Sequence, residues 1–225
     1  MDYLLQNPAI VFELLLQHLL IVSVALTLAL ALSLPLSVFI AASSRWTAAV
    51  LGVLSVVYTI PSIALIILLI PLTGLNAWSV IIALILYAQV ILTRNNVAAL
   101  RGIDPAIVEA ARGMGMNRWQ MWWRVQLPLA LPVMLAGVRL AAIVTIGIAT
   151  IGAKFNGGGL GRLLFDGIAQ TGRYDKIWAG AIAVAALALL TNLAFVALEH
   201  YFGPARKIRG QLSNAALFTR KKTLF

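Results

Sequence analysis

No ionised side chain occurs from Leu14 to Ser44, from Trp46 to Thr93, or from Ile177 to Leu198. Crossing the hydrocarbon core of a bilayer takes about 20 residues of helix, and only a helix or a closed barrel satisfies every backbone group in lipid. The runs are long enough for helices and too continuous for the alternation of barrel strands. They predict an all-α integral membrane protein. With 62% apolar and 11% charged residues, the chain lies far from the roughly one-quarter charged usage of soluble domains.

Five spans are expected, at Leu14–Ala42, Ala48–Ile70, Trp78–Thr93, Pro132–Ile151 and Ile177–Leu198. The uncharged stretch between Arg45 and Arg94 is long enough for two crossings. Pro71 to Asn76 supplies the reversal between them, with Trp78 where interfacial aromatics collect. Residues 1–200 thus form one transmembrane domain with two functional connections, 94–131 and 153–176, followed by a basic tail at 201–225. The start of the chain lacks the basic flank and small-residue cleavage site of a secretory signal, so the first apolar segment is expected to be retained.

Five crossings put the termini on opposite sides, and the positive-inside rule chooses between them. With the amino terminus outside, Arg45, Arg94, Arg101, Arg112, Arg118, Arg124, Arg206, Lys207, Arg209, Arg220, Lys221 and Lys222 face the cytoplasm. Only Lys154, Arg162, Arg173 and Lys176 remain outside. The net charge of +10 is scattered through short connections in this way, so it reads as a topology signal and no nucleic-acid partner is expected. The chain has no cysteine, which excludes disulfides and thiolate metal sites. Arg139, the one charge inside a span, sits close enough to the inner interface to snorkel or to meet loop backbone.

In the cytoplasmic connection, Asp104 can cap a helix whose first residue is Pro105, because proline there gives up only an N–H that had no partner. Gly113 and Gly115 are expected to end it. A second helical piece, Asn117 to Val125, should stop at Leu127-Pro128. A helix of two to three turns is unstable alone in water and must dock. Trp119, Trp122 and Trp123 suit the lipid boundary, leaving Glu109, Arg112 and the small Ala110-Ala111 face for a partner. From the residues alone, a docking helix and a structural amphipathic loop are equally good readings.

The spacing decides between them by resemblance. Glu109-Ala110-Ala111, three residues, Gly115, nine residues, Val125, one residue and Leu127-Pro128 resemble the EAA loop of ABC importer permeases. The resemblance implies a type I importer permease fold. It implies that Asp104, Glu109, Ala110, Ala111, Arg112, Gly113 and Gly115, with Leu127 and Pro128, form the element seated in a cytoplasmic ABC ATPase dimer. It implies further partners: a second permease subunit, identical or homologous, and an extracytoplasmic solute-binding protein. ATP and Mg would be bound by the ATPase and no cofactor by this chain, which would be a non-catalytic, multi-pass subunit of a bacterial cytoplasmic (inner) membrane. The runs Tyr58-Thr59-Ile60-Pro61-Ser62, Leu127 to Gly137, and Ile151-Gly152-Ala153 with Gly157-Gly158-Gly159-Leu160-Gly161 resemble permeases for glycine betaine, carnitine, choline and related osmoprotectants. Import of an amino acid such as methionine or histidine by the same machinery is the alternative cargo.

Other features are placed against that reading. The Gly157 to Gly161 cluster lacks the lysine and hydroxyl residue of a P-loop. It reads as a tight turn, and by resemblance Asn156, Gly157, Gly158, Gly159 and Gly161 would contact the binding protein. Pro61 removes a helical hydrogen bond, with Thr59 and Ser62 able to satisfy the freed groups. A plain kink is one outcome; a translocation path lined by Tyr58, Thr59, Pro61, Ser62, Tyr87 and Gln89 is the other. Glu199 and His200 at a membrane edge and His18 show no metal-ligand spacing. A stand-alone secondary transporter would need an intramembrane acid, and no Asp or Glu falls within a span.

Overall fold

The charge-free runs are helices. A computed structural model of the chain describes residues 2–202; the tail with Arg206, Lys207, Arg209, Arg220, Lys221 and Lys222 lies outside the described residues. The order is α1 Asp2–Gln6, α2 Pro8–Ala41, α3 Ser44–Thr59, α4 Ser62–Thr73, α5 Ala77–Arg101, α6 Pro105–Gly113, α7 Arg118–Met121, a π-helical segment Trp122–Gln126, α8 Leu127–Gly152, a 3-10 turn Ala153–Phe155, α9 Gly161–Ala169 and α10 Tyr174–Phe202. Four continuous helical columns are long and apolar enough to cross a bilayer: Pro8–Ala41, Ala77–Arg101, Arg118–Phe155 and Tyr174–Tyr201. The pair α3 and α4 makes a fifth crossing when counted as one broken span.

α5 is the axis of the bundle, packed against α2, α3, α4 and α8. Lipid offers no hydrophobic drive for helix association, so close approach and interhelical hydrogen bonds must supply it. On α2 the approach is made by Ala25, Ala29, Ser33 and Ser37, all fully buried and four residues apart on one stripe. Gln89 of α5 donates its Nε2 to the Ala29 carbonyl at 2.9 Å, and Asn96 donates Nδ2 to Ser33 Oγ at 3.4 Å. Between α5 and α8 the contact is closer still: a Cβ added at Gly137 would lie 2.5 Å from Asn95 Cβ.

Four expectations are corrected. Pro61 does more than kink the second span: α3 and α4 meet at 95°. Ile60 leaves the helical region with ψ of 127°, because a residue before proline is pushed from the α conformation, and Pro61 follows it with ψ of 138°. The second correction concerns Leu127-Pro128, which does not stop a helix. The preceding turn widens into the π segment, the Leu127 N–H reaches the Trp122 carbonyl, and the column continues through Pro128 and Pro132. Widening gives room for a ring that would clash with an ordinary α turn. Third, the external connection is not all loop: it folds Gly161–Ala169 into α9, with Leu163 buried.

Arg139 is the fourth. Its Nε lies 2.8 Å from Glu199 Oε1 and its NH1 donates to Asn192 Oδ1 at 3.4 Å, tying α8 to α10. Loop backbone is not its partner. A guanidinium within a span is retained at lowest cost when a carboxylate faces it.

Substituting Gly137→Val should force α5 and α8 apart and destabilise the subunit by about 1–3 kcal/mol. Gly147→Ala, where an added Cβ meets nothing within 4 Å, should be neutral or stabilising. Thermal unfolding in detergent, followed by helical circular dichroism, separates the two.

Candidate functional site

The segment from Asp104 to Met116 is a helix built to be held rigid at both ends. Asp104 Oδ1 accepts the Ala106 N–H at 2.9 Å, with Pro105 at the first helical position. At the other end the Gly115 N–H donates to the Arg112 carbonyl at 2.9 Å and the Met116 N–H to the Ala111 carbonyl at 3.2 Å. These two bonds form a Schellman motif. It needs a left-handed residue, and Gly115 supplies φ of +77°. Gly113 is the last helical residue and has no positive φ, so only one of the two glycines ends the helix. The glycine position in the spacing pattern is thus explained by backbone geometry.

α6 buries one side chain fully and Val108 in part. Ala111 is 1% exposed, resting against α7 and the π segment. Ala106, Glu109, Ala110 and Arg112 are exposed, and so are the apolar Ile107 at 43% and Met114 at 69%. Ile107, Ala110 and Met114 share a helical face. An apolar stripe on a helix outside the spans has no partner within the described residues. The following turn is capped as firmly: Asn117 Oδ1 accepts the Gln120 N–H at 2.8 Å and Gln120 Oε1 the Asn117 N–H at 3.0 Å. This capping box was legible as an Asn-x-x-Gln pattern. Leu127 and Pro128 stand at the start of α8 beyond the π segment, clear of α6.

The break between α3 and α4 gathers Tyr58, Thr59, Pro61, Ser62 and Tyr87. Thr59 Oγ1 donates to the Val56 carbonyl at 2.7 Å, and the Tyr87 hydroxyl donates to the Ile60 carbonyl, so carbonyls freed by Pro61 find partners. The Tyr58 and Tyr87 rings lie 5.3 Å apart and tilted by 59°, a favourable aromatic geometry. Tyr58 is exposed while Tyr87 is buried. Gln89 sits apart, with its amide bonded to α2.

At the opposite end of α2 lies the glycine-rich turn. Gly158 and Gly159 take φ of +78° and +81°, and Asn156 is left-handed at +58°; asparagine is among the few residues that tolerate this region. A Cβ at Gly159 would lie 2.8 Å from His18 Nδ1, so the turn is pressed onto α2, where Gln17 Oε1 accepts the Gly159 N–H at 3.3 Å. Gln17 had no local sequence signal, because its partner is far away in the chain. Beside the turn, Lys154, Asn156, Arg162, Phe165 and Asp166 line a hollow of about 540 Å³. The same end is tied to the start of the chain: Arg173 and Lys176 lie 5.8 and 5.5 Å from the Tyr3 ring. Arg173 also pairs with Asp175 at 2.9 Å, and this hydrogen bond raises its pKa. Among the described residues, no group of three or more His, Asp or Glu could hold a metal ion.

A helical bundle with a broken span and a doubly capped, exposed helix is a polytopic membrane protein. Residues 33–208 match the family described as "Binding-protein-dependent transport system inner membrane component", and the chain belongs to that family. It is 38% identical over 188 residues to the carnitine transport permease protein OpuCB of Listeria monocytogenes, covering 84% of this chain and 86% of that one. It is 34% identical over 221 residues to the glycine betaine/carnitine/choline transport system permease protein OpuCD of Bacillus subtilis, covering 98% and 95%. A chain of the methionine ABC transporter MetNI, solved in an inward-facing conformation, matches with a TM-score of 0.75 at 22% identity, covering 85% and 95%. That likeness shows the shared fold. The chain is therefore a multi-pass inner-membrane component of a transport system.

Asp104→Ala should remove about 1 kcal/mol from α6, and Gly115→Val about 1–2 kcal/mol through its left-handed backbone. Gly115→Asn should be milder than Gly115→Val. Hydrogen exchange of the amides from Ile107 to Met116 reads both: protection should fall about fivefold for the cap and at least as far for valine.

Proposed function

We propose that the chain is the permease subunit of an ATP-driven importer of a small compatible solute of the glycine betaine, carnitine or choline type. The observation that carries this reading is α6: a short helix, capped by Asp104 and closed by Gly115, that leaves Ile107, Ala110 and Met114 uncovered. The small Ala110 lets a partner surface come close. The partner is a dimer of cytoplasmic ATPases, which bind ATP and Mg, and α6 with Glu109 and Arg112 sits in a groove of one of them. The similarity to osmoprotectant permeases at 34–38% identity supports the cargo class.

A pathway for a polar solute needs more helices than one copy offers, so two permease subunits, identical or homologous, enclose it. The broken span faces that path with Tyr58, Thr59, Pro61 and Ser62, and Tyr87 stands behind Tyr58. Irregular backbone at membrane depth is tolerated where it lines a cavity. The amino terminus lies outside, and the turn from Asn156 to Gly161 receives a solute-binding protein. Nucleotide can shift the permease only by its differential affinity for the two arrangements. α6 must therefore stay gripped while the ATPases move, which is why rigidity at both of its ends matters.

Ala110→Glu, which puts a long charged side chain on the uncovered face, should abolish ATP-dependent uptake in vesicles and co-purification of the ATPase. The subunit should remain in the membrane at wild-type level. Unchanged uptake with unchanged co-purification contradicts the docking role. Orientation is tested separately: a reporter fused after Gly161 should read as external and one at Gln120 as cytoplasmic, and the reverse pattern refutes the assignment.

A further inference from the structure

Between the last turns of α2 and the hinge that leads into α8 runs a groove of about 1130 Å³. One wall is apolar helix, with Leu34, Val38 and Phe39; the other carries Trp119, Trp122 and Trp123. Phe39, Trp119 and Trp123 are 69%, 70% and 50% exposed, and the two tryptophans meet edge to face at 5.4 Å. Two guanidinium side chains, Arg112 and Arg118, are the charged members of the lining, and it contains no acidic side chain.

We infer that this groove is a binding site for one anionic phospholipid. The apolar wall of α2 suits an acyl chain. Indole rings prefer the headgroup level, where one edge is wet and the other apolar. Arginine offers a planar fork to a phosphate, and the unopposed pair of positive charges makes an anionic headgroup the complementary occupant. Each basic side chain near an anionic lipid contributes about fivefold, so the pair should favour an anionic over a zwitterionic lipid by about twenty-five-fold. Arg112 stands in the last turn of α6, so an occupied groove ties that helix to the membrane. The site itself depends only on the membrane embedding of the chain, and its test needs no ATPase.

The chain has six tryptophans, and Trp46→Phe, Trp78→Phe and Trp178→Phe together leave the groove's three as the fluorophores. The full chain is placed in phosphatidylcholine nanodiscs in which a rising fraction of lipid is replaced by brominated phosphatidylglycerol or brominated phosphatidylcholine. The expected result is saturable quenching by the anionic lipid at about twenty-five-fold lower mole fraction than by the zwitterionic one. Arg112→Gln with Arg118→Gln should abolish that excess and leave quenching by brominated phosphatidylcholine unchanged, which also shows that the variant is inserted and folded. Equal quenching by the two lipids in the unaltered groove overturns the proposal. So does quenching by neither, which means that protein covers the groove: residues 203–225 if their removal restores quenching, a second copy if it does not.

Discussion

A backbone carbonyl inside a bilayer has no water to turn to, and each place where this chain interrupts a helix is a place where some other group answers that need. At the break in the second span the Tyr87 hydroxyl reaches the Ile60 carbonyl and Thr59 reaches Val56. Where α2 ends, Arg101 Nε donates to the Ala41 carbonyl at 3.1 Å, and its NH2 to Thr47 Oγ1 at 2.9 Å. Before Pro128 the helix widens so that the Leu127 N–H finds Trp122. Interruptions are confined to positions that α5, or the chain's own turn, can cover. The bundle can therefore bend sharply near its middle while its columns stay continuous.

The same economy separates the molecule's two kinds of surface. α5 is buried along most of its length, and its contacts with α2 and α8 are close because Ala29, Ser33 and Gly137 carry little or no side chain. α6 is the opposite: one buried alanine, two firm caps and an apolar stripe that no described residue covers. A rigid core flanked by a rigid, weakly attached helix suits a subunit moved from outside. Among the described residues, Arg139 pairs with Glu199 between α8 and α10, which puts an acid inside a described span, and His18 is fully buried on α2.

Much of this was legible in the residues. Charge-free runs located the spans because ionised groups are so costly in lipid that their absence is informative. The Asp104-Pro105 start of α6 follows from local capping chemistry, and Gly115 from the turn its spacing requires. What stayed hidden depends on distant partners or on tolerance. Arg139 and Glu199 stand on different helices, and neither neighbourhood names the other. Proline is read as a helix stop at Pro128, yet a π turn absorbs it, while Pro61 bends the chain by 95° because Ile60 also leaves the helix. α9 was obscured by glycines on either side, although Leu160, Leu163, Leu164 and Gly167 have helical spacing and Gly167 packs where a side chain would meet Ile177.

Under the proposed function, the uncovered face of α6 is gripped by a nucleotide-hydrolysing subunit. Because the chain contains no cysteine, Ala110→Cys offers a unique attachment point for a short photoreactive maleimide in native membranes. After illumination, such a grip gives one dominant adduct, identified by mass spectrometry as a polypeptide carrying a P-loop, with the cross-linked residues lining a groove on its surface. Adducts to lipid alone, or none beyond those formed by a probe on the exposed Leu190 of α10, would contradict it.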